Sequence, residues 1–260
     1  HACGHDGHAA MLLGAAIGLA ESRNFDGTVV LIFQPAEEGG AGARAMIEDG
    51  LFRRFPCDEV YGMHNRPGMA VGEFTIAPGP IMGSIDMFEI EIEGVGGHAA
   101  MPDRTTDPMP VVAALIQAAQ TIAARNVDPL DAVVVSITTI HGGDAFNVIP
   151  QRIRMTGTVR TLREEVRDLA QARLGRITAG IADAYGATGR LSYSRNYPVT
   201  VNHEAETEYA ALAAEAVAGP GRVSRDMPPT MGGEDFSFML NEVPGAMINR
   251  ELAPAAIARV

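Results

Sequence analysis

The chain has 260 residues, 47% of them hydrophobic and 20% charged, a composition that buries a sizeable core and excludes disorder as the default. Its 32 acidic residues outnumber 20 basic ones for a net charge of -12, and no Lys/Arg block offers a footprint for a phosphate backbone, so nucleic acid is not an expected partner. The apolar run Ala9–Ala20 is too short and too rich in Gly and Ala to cross a bilayer, and two cysteines, Cys3 and Cys57, are too few for a disulfide framework and point to the reducing cytoplasm.

In chain order, residues 8–22 have helical composition and Gly27–Gln34 (GTVVLIFQ) reads as a buried strand. A helix over Ala41–Asp49 and a short strand over Asp58–His64 continue an α/β alternation. After APGP at Ala77–Pro80 the pattern changes. Met87–Glu93 alternates apolar and polar residues as a half-exposed strand does. A helix over Asp107–Arg125, strands over Ala132–Ile140 and Arg152–Thr161, a long helix over Arg163–Tyr185 and a strand over Arg190–Arg195 follow. The order β-α-β-β-α-β is that of a ferredoxin-like unit. Helical pattern returns at Ala205–Ala218, and MGGEDFSFML at Met231–Leu240 resumes the outer domain. The expected architecture is α/β, with a first part at 1–79, an inserted unit at 80–196 and a second part at 197–260.

Three clusters carry chemistry. His1-Ala-Cys-Gly-His-Asp-Gly-His8 places a thiol, three imidazoles and a carboxylate within eight residues, donors that borderline-soft divalent metals prefer. Cys3 and His5, two apart, face the same way in an extended segment and share one ion; the plainer reading is a Gly-rich turn with solvated histidines. Glu37 and Glu38 in QPAEEG follow the apolar strand, where α/β sheets place ligand-binding groups. Repulsion and desolvation raise at least one of their pKa values unless a cation compensates, which suits a pair divided between metal ligand and general base. Alternatively they are a solvated acidic turn ahead of the next helix. His64 in GMHNRPG ends a strand, a position where a lone histidine is more often structural.

The strings HACGHDGH, QPAEEG, GMHNRPG, GVGGHAAMPDRTTDP, FNVIP, GTVRTLRE and MGGEDFSFML, in this order, resemble the dinuclear-metal aminoacylase and carboxypeptidase superfamily, in its branch of hippurate hydrolases and indole-acetyl-amino-acid hydrolases. The resemblance implies a metallopeptidase-like catalytic α/β domain with the ferredoxin-like unit inserted as lid and dimerisation domain. It further implies two divalent ions, zinc or manganese, held by Cys3, His5, Glu38 and His64 with Cys3 bridging, and Glu37 as general base. His98 and Asn147 would stabilise the oxyanion, the histidine reaching the site of a neighbouring subunit in a homodimer. Asp6 and His8 would orient the ligands. The implied reaction is hydrolysis of the amide bond of an N-acyl amino acid; a metal-dependent exopeptidase or dipeptidase and a non-catalytic assembly protein are the alternatives.

The sequence departs from the family pattern at both ends. It opens at His1 inside a motif, which implies a missing sheet-forming N-terminal segment. No histidine follows His203, where the family has a further ligand; Ile248–Val260 resembles the family's last helix, with the preceding strand and ligand loop absent. A chain so shortened is expected to bind metal weakly or at one site and to be inactive.

Overall fold

The computed structural model describes residues 3–66 and 68–250. They form two compact units: one takes the chain up to Ile81, Thr200–Pro229 and the part from Glu234 onward, the other Met82–Val199 with Thr230–Gly233.

The first unit contains helices α1 (His5–Ser22), α2 (Gly42–Glu48) and α3 (Leu51–Arg54) and strands β1 (Val60–Asn65), β2 (Phe74–Thr75) and β3 (Gly79–Met82), the last ending at the boundary. The second contains β4 (Ile85–Glu93), β5 (Gly97–His98), α4 (Pro108–Ala119), β6 (Val133–His141), β7 (Val148–Ile149), β8 (Arg152–Thr161), α5 (Glu164–Ala184) and β9 (Thr188–Tyr197). The chain returns to the first unit through β10 (Thr200–Asn202), α6 (Glu204–Ala218), β11 (Val223–Ser224), α7 (Ser237–Glu242) and β12 (Gly245–Arg250).

In the second unit the sheet order is β6-β8-β4-β9 with every neighbouring pair antiparallel. This is the ferredoxin-like arrangement expected from the order of elements. Period-two patterning sends Phe88, Ile90 and Ile92 of β4 to one face, where they pack with Val111 and Leu115 of α4, Ile153 and Met155 of β8 and Leu174 of α5. The other face carries cross-strand pairs, Glu89 with Arg154 at 3.2 Å, Glu91 with Arg152 at 3.5 Å and Glu93 with Arg190 at 2.9 Å. Such exposed pairs fix register more than stability. Asp107 caps α4 by accepting from the Met109 N–H at 2.9 Å, with Pro108 at the first helical position, where its missing N–H costs nothing.

One ion pair is buried in this unit among the described residues. Asp86 is 0% exposed and Arg167 4%. Arg167 Nε donates to both Asp86 oxygens at 3.1 and 2.9 Å, its Nη2 reaches Oδ1 at 2.5 Å, and the Tyr193 hydroxyl donates to Oδ2 at 2.7 Å. Burial, followed by the hydrogen bond to Asp86, pushes the Tyr193 phenol well above its ordinary range.

In the first unit the sheet order is β1-β12-β2-β11, with β1 parallel to β12 and β2 antiparallel to it. Ala246, Met247 and Ile248 of β12 are buried, and Ala211 and Ala214 of α6 cover Phe74, Ile76 and Ile248. Asn202 ties β12 down: its amide donates to Met247 O at 3.0 Å and accepts from the Met247 N–H at 2.7 Å.

Two expectations fail here. Residues 248–250 belong to a central strand rather than to a terminal helix, because they continue the short apolar run Gly245–Ile248, which suits a strand covered on both faces; residues 251–260 lie outside the described residues. The strand expected at Gly27–Gln34 pairs with no ladder among the described residues, and Val29, Leu31 and Phe33 are 48%, 38% and 52% exposed. Apolar, β-prone composition states that a segment fits a covered sheet position but supplies no partner.

Breaking the buried ion pair tests the second unit. Asp86→Ala leaves the Arg167 guanidinium buried without its carboxylate and is expected to cost about 3–5 kcal/mol. The double change Asp86→Leu with Arg167→Met is expected to recover most of that loss. Urea unfolding of the three proteins measures both.

Candidate metal centre

Three segments of the first unit bring their donors together. Gly4 adopts φ +69° at the start of α1, a left-handed turn that favours glycine; a Cβ there would stand 2.7 Å from Asn65 Nδ2. Cys3 and His5 therefore share a neighbourhood through a tight turn into a helix, not through the extended segment that their spacing suggests. Within α1, His5 and His8 are three apart and lie on one face, against His64 at the end of β1. Ring centroids are 4.4 Å apart for His8 and His64, 5.3 Å for His5 and His8 and 5.8 Å for His5 and His64.

The QPAEEG segment is a closed loop. Ala36 and Ala41 take φ +52° and +50°, left-handed conformations that a residue with a Cβ adopts only when its surroundings hold it there. The Gly40 N–H donates to Ala36 O at 3.1 Å and the Gly39 N–H to Glu37 O at 2.7 Å. The turn sets Glu37 Oε2 and Glu38 Oε1 each 3.9 Å from His5 Nε2. One ligand atom from each of Cys3, His5 and Glu38 falls within 4.8 Å of the others. The same limit holds for His5, His8 and His64, and for Glu37, Glu234 and Asp235.

The electrostatics are those of an anionic pocket. Burial first, then the neighbouring Glu38 and Asp235, push Glu37 up to about 7. Burial and the nearby Glu37 raise Glu234, and burial raises Asp235. The Cys3 thiol is raised by burial, by its hydrogen bond to Glu38 and by the acids around it, so it becomes a thiolate only beside a cation. Burial lowers both His8 and His64, leaving them neutral, the form that binds metal. His64 Nδ1–H donates to Asn65 O at 2.6 Å, which leaves Nε2 as the ligating atom. His8 Nε2 instead meets Asn65 twice, at its backbone N–H at 3.0 Å and at its side-chain Oδ1, so that His8 is held against the residue that follows His64. A thiol, neutral imidazoles and carboxylates that repel one another match what a divalent ion needs.

The other two expected site residues lie in the second unit. His98, in β5, is exposed and its Nδ1 accepts the Ala100 N–H at 3.1 Å. Asn147 is exposed just before β7, and its carbonyl accepts the Ala99 N–H at 3.0 Å. They are neighbours across the β5–β7 pairing. Asp6 is exposed on α1. Sequence reasoning gave little weight to Glu234 and Asp235, 5% and 0% exposed, yet adjacent acids inside the apolar MGGEDFSFML carry the same signal as Glu37 and Glu38.

The raised Glu37 pKa fixes the sign of a stability measurement. In metal-free protein its carboxyl binds a proton between pH 4.5 and about 7 that the unfolded chain has released, so its contribution is present at low pH and lost as pH rises through that window. Relative to the parent, Glu37→Gln should gain stability between pH 5 and 8, on the order of 1–3 kcal/mol, read as urea midpoints in EDTA. Saturating zinc should abolish the advantage.

Comparisons with known proteins match the chain over most of its length. The chain is 42% identical to the hippurate hydrolase of Campylobacter jejuni over 92% of its own length and 62% of that protein's. It is 41% identical to the N-acetyl-L-cysteine deacetylase of Bacillus subtilis over 95% of its length and 58% of that protein's. It thus spans about three fifths of the curated relatives it matches. The YXEP protein of Bacillus subtilis, described as a dinuclear metal binding peptidase, superposes with a TM-score of 0.81 at 34% identity, over 96% of this chain and 64% of that one. With residues 1–257 matching the model of peptidase family M20/M25/M40, and with thiol, imidazole and carboxylate donors gathered at one end of an α/β unit, the chain belongs to that family.

Proposed function

We propose that this chain carries the catalytic centre of a metal-dependent amidohydrolase that cleaves N-acyl amino acids, with Glu37 as general base. The observation that carries the reading is the placement of Glu37, half-buried and 3.9 Å from His5, beside the donor group of Cys3, His5 and Glu38. Cys3, His5, Glu38 and His64 would hold two divalent ions, zinc or manganese. Such ions supply Lewis acidity toward the amide carbonyl and lower the pKa of a water. Glu37 accepts that water's proton and returns it to the leaving amine nitrogen, two transfers for which a carboxyl poised near neutrality is suited. His98 and Asn147, on the second unit, donate to the oxyanion, and that unit acts as lid and as the surface through which two copies pair. N-acyl amino acids are favoured as substrates because two relatives, at 42% and 41% identity, are named for hydrolysing or deacetylating such compounds.

The general-base role has two consequences, read on the metal-loaded protein extended to the full length of its relatives, of which this chain spans about three fifths. Glu37→Gln should lower kcat about 10²–10⁴-fold while isothermal titration shows zinc still binding. In the parent, kcat/KM should fall as pH drops, since protonated Glu37 accepts nothing. That acid limb lies no higher than about 7, because a cation alongside favours the carboxylate, and it should be missing from the residual activity of Glu37→Gln.

Substrate class is read from competition between hippurate or N-acetyl amino acids and dipeptides with a free amino terminus. The acylated compounds should show the higher kcat/KM. Preference for dipeptides would replace the amidohydrolase reading with an exopeptidase one.

A further inference from the structure

Asp235 has both carboxylate oxygens committed. It is 0% exposed; Oδ2 accepts the Ala43 N–H at 2.9 Å and Oδ1 accepts the side-chain amide of Gln34. Those two donors bracket the loop that presents Glu37 and Glu38. The loop's ends are pressed together, for a Cβ on Gly42 would fall 1.7 Å from Pro35 O, and its backbone is left-handed at Ala36 and Ala41. Conformations of that kind are strained and persist only where the surroundings over-determine them. Charge-assisted hydrogen bonds from a buried carboxylate are strong enough to supply the restraint. The element that carries Asp235 is itself anchored: Phe236 N–H donates to Glu234 Oε1 at 3.1 Å, and Arg44 of α2 stacks over the Phe238 ring at 5.4 Å.

We propose that Asp235 is a positioning residue, which clamps both ends of the Gln34–Ala43 loop and thereby sets where Glu37 and Glu38 stand relative to Cys3 and His5. The inference rests on the reading of Glu37 as base and Glu38 as ligand, but its structural half does not depend on turnover. A clamp needs hydrogen-bond acceptors and donors of the right shape; a cation ligand or an acid needs the charge. Asp235→Asn separates these, because its oxygen still accepts from Ala43 and, once the Gln34 amide turns over, its amide donates to Gln34. Asp235→Leu has similar size and keeps neither bond.

Three readouts decide the matter: amide exchange of Glu38 and Ala43 in metal-free protein, Co²⁺ affinity followed by the thiolate-to-cobalt absorption band, and kcat against KM for an N-acetyl amino acid. Asp235→Leu should speed exchange at both amides, weaken Co²⁺ about 10–100-fold, as loss of a ligand-supporting partner does, and lower kcat with little change in KM. Asp235→Asn should stay close to the parent in all three. Gln34→Ala, which cuts one arm from a less buried position, should shift exchange and Co²⁺ affinity in the same direction by less, and carries the test if Asp235→Leu does not fold. Equal damage in Asp235→Asn and Asp235→Leu, or unchanged exchange in Gln34→Ala, would overturn the clamp. A parent that binds Co²⁺ and shows the expected variant pattern, yet hydrolyses no N-acyl amino acid, would overturn the functional reading and leave the clamp standing.

Discussion

Like charge held at close quarters governs the first unit. Glu37, Glu38, Glu234 and Asp235 gather with the Cys3 thiol, and two of the four acids are buried. Carboxylates so placed raise one another's pKa values and oppose folding unless protons or cations intervene. Tight turns, left-handed alanines and a tethered loop hold the acids there nonetheless. A cluster that resists its own assembly and is still assembled by several independent devices is organised around a binding event. The neutral state of His8 and His64 serves the same end, since imidazoles that stayed protonated would neutralise the acids and occupy the lone pairs a metal needs.

The second unit handles buried charge differently. Asp86 meets a guanidinium and a phenol that hydrogen-bond both its oxygens, and on the open face of the sheet Glu89, Glu91 and Glu93 pair with Arg154, Arg152 and Arg190. The contrast is between a buried acid matched by a cation and a cluster of acids set among one another. His98 and Asn147 sit on exposed backbone beside a short two-stranded pairing, where side chains are free to address something outside their own core.

The ferredoxin-like unit was legible from patterning because each strand has one covered face, so that β4 and β8 alternate strictly, and because α4 opens on the Asp107 cap with Pro108 behind it. The catalytic motifs were legible as compositions of donors. Patterning failed where tertiary context decides: Gly27–Gln34 has the composition of a covered strand but no ladder among the described residues, and the apolar run Gly245–Ile248, which leads into Asn249 and Arg250 of a central strand, is too short to be told from a helix by periodicity. Periodicity also misplaced the geometry of Cys3 and His5, which a left-handed Gly4 sets, and it did not show that His8 shares a face of α1 with His5, which requires a helix that begins at His5. Asp235 was the least visible, since its importance lies in what it accepts from residues two hundred positions away.

The extended stretch from Val29 to Phe33 has a consequence for handling the molecule. Apolar, β-prone backbone that pairs with no strand among the described residues is a template on which another chain can hydrogen-bond. The net charge of -12 keeps copies apart by long-range repulsion that dissolved ions screen within about 10 Å at 0.1 M. Colloidal behaviour should therefore run opposite to the usual salting-in, with dilute buffer dispersing the chains and added salt driving them into β-rich assemblies.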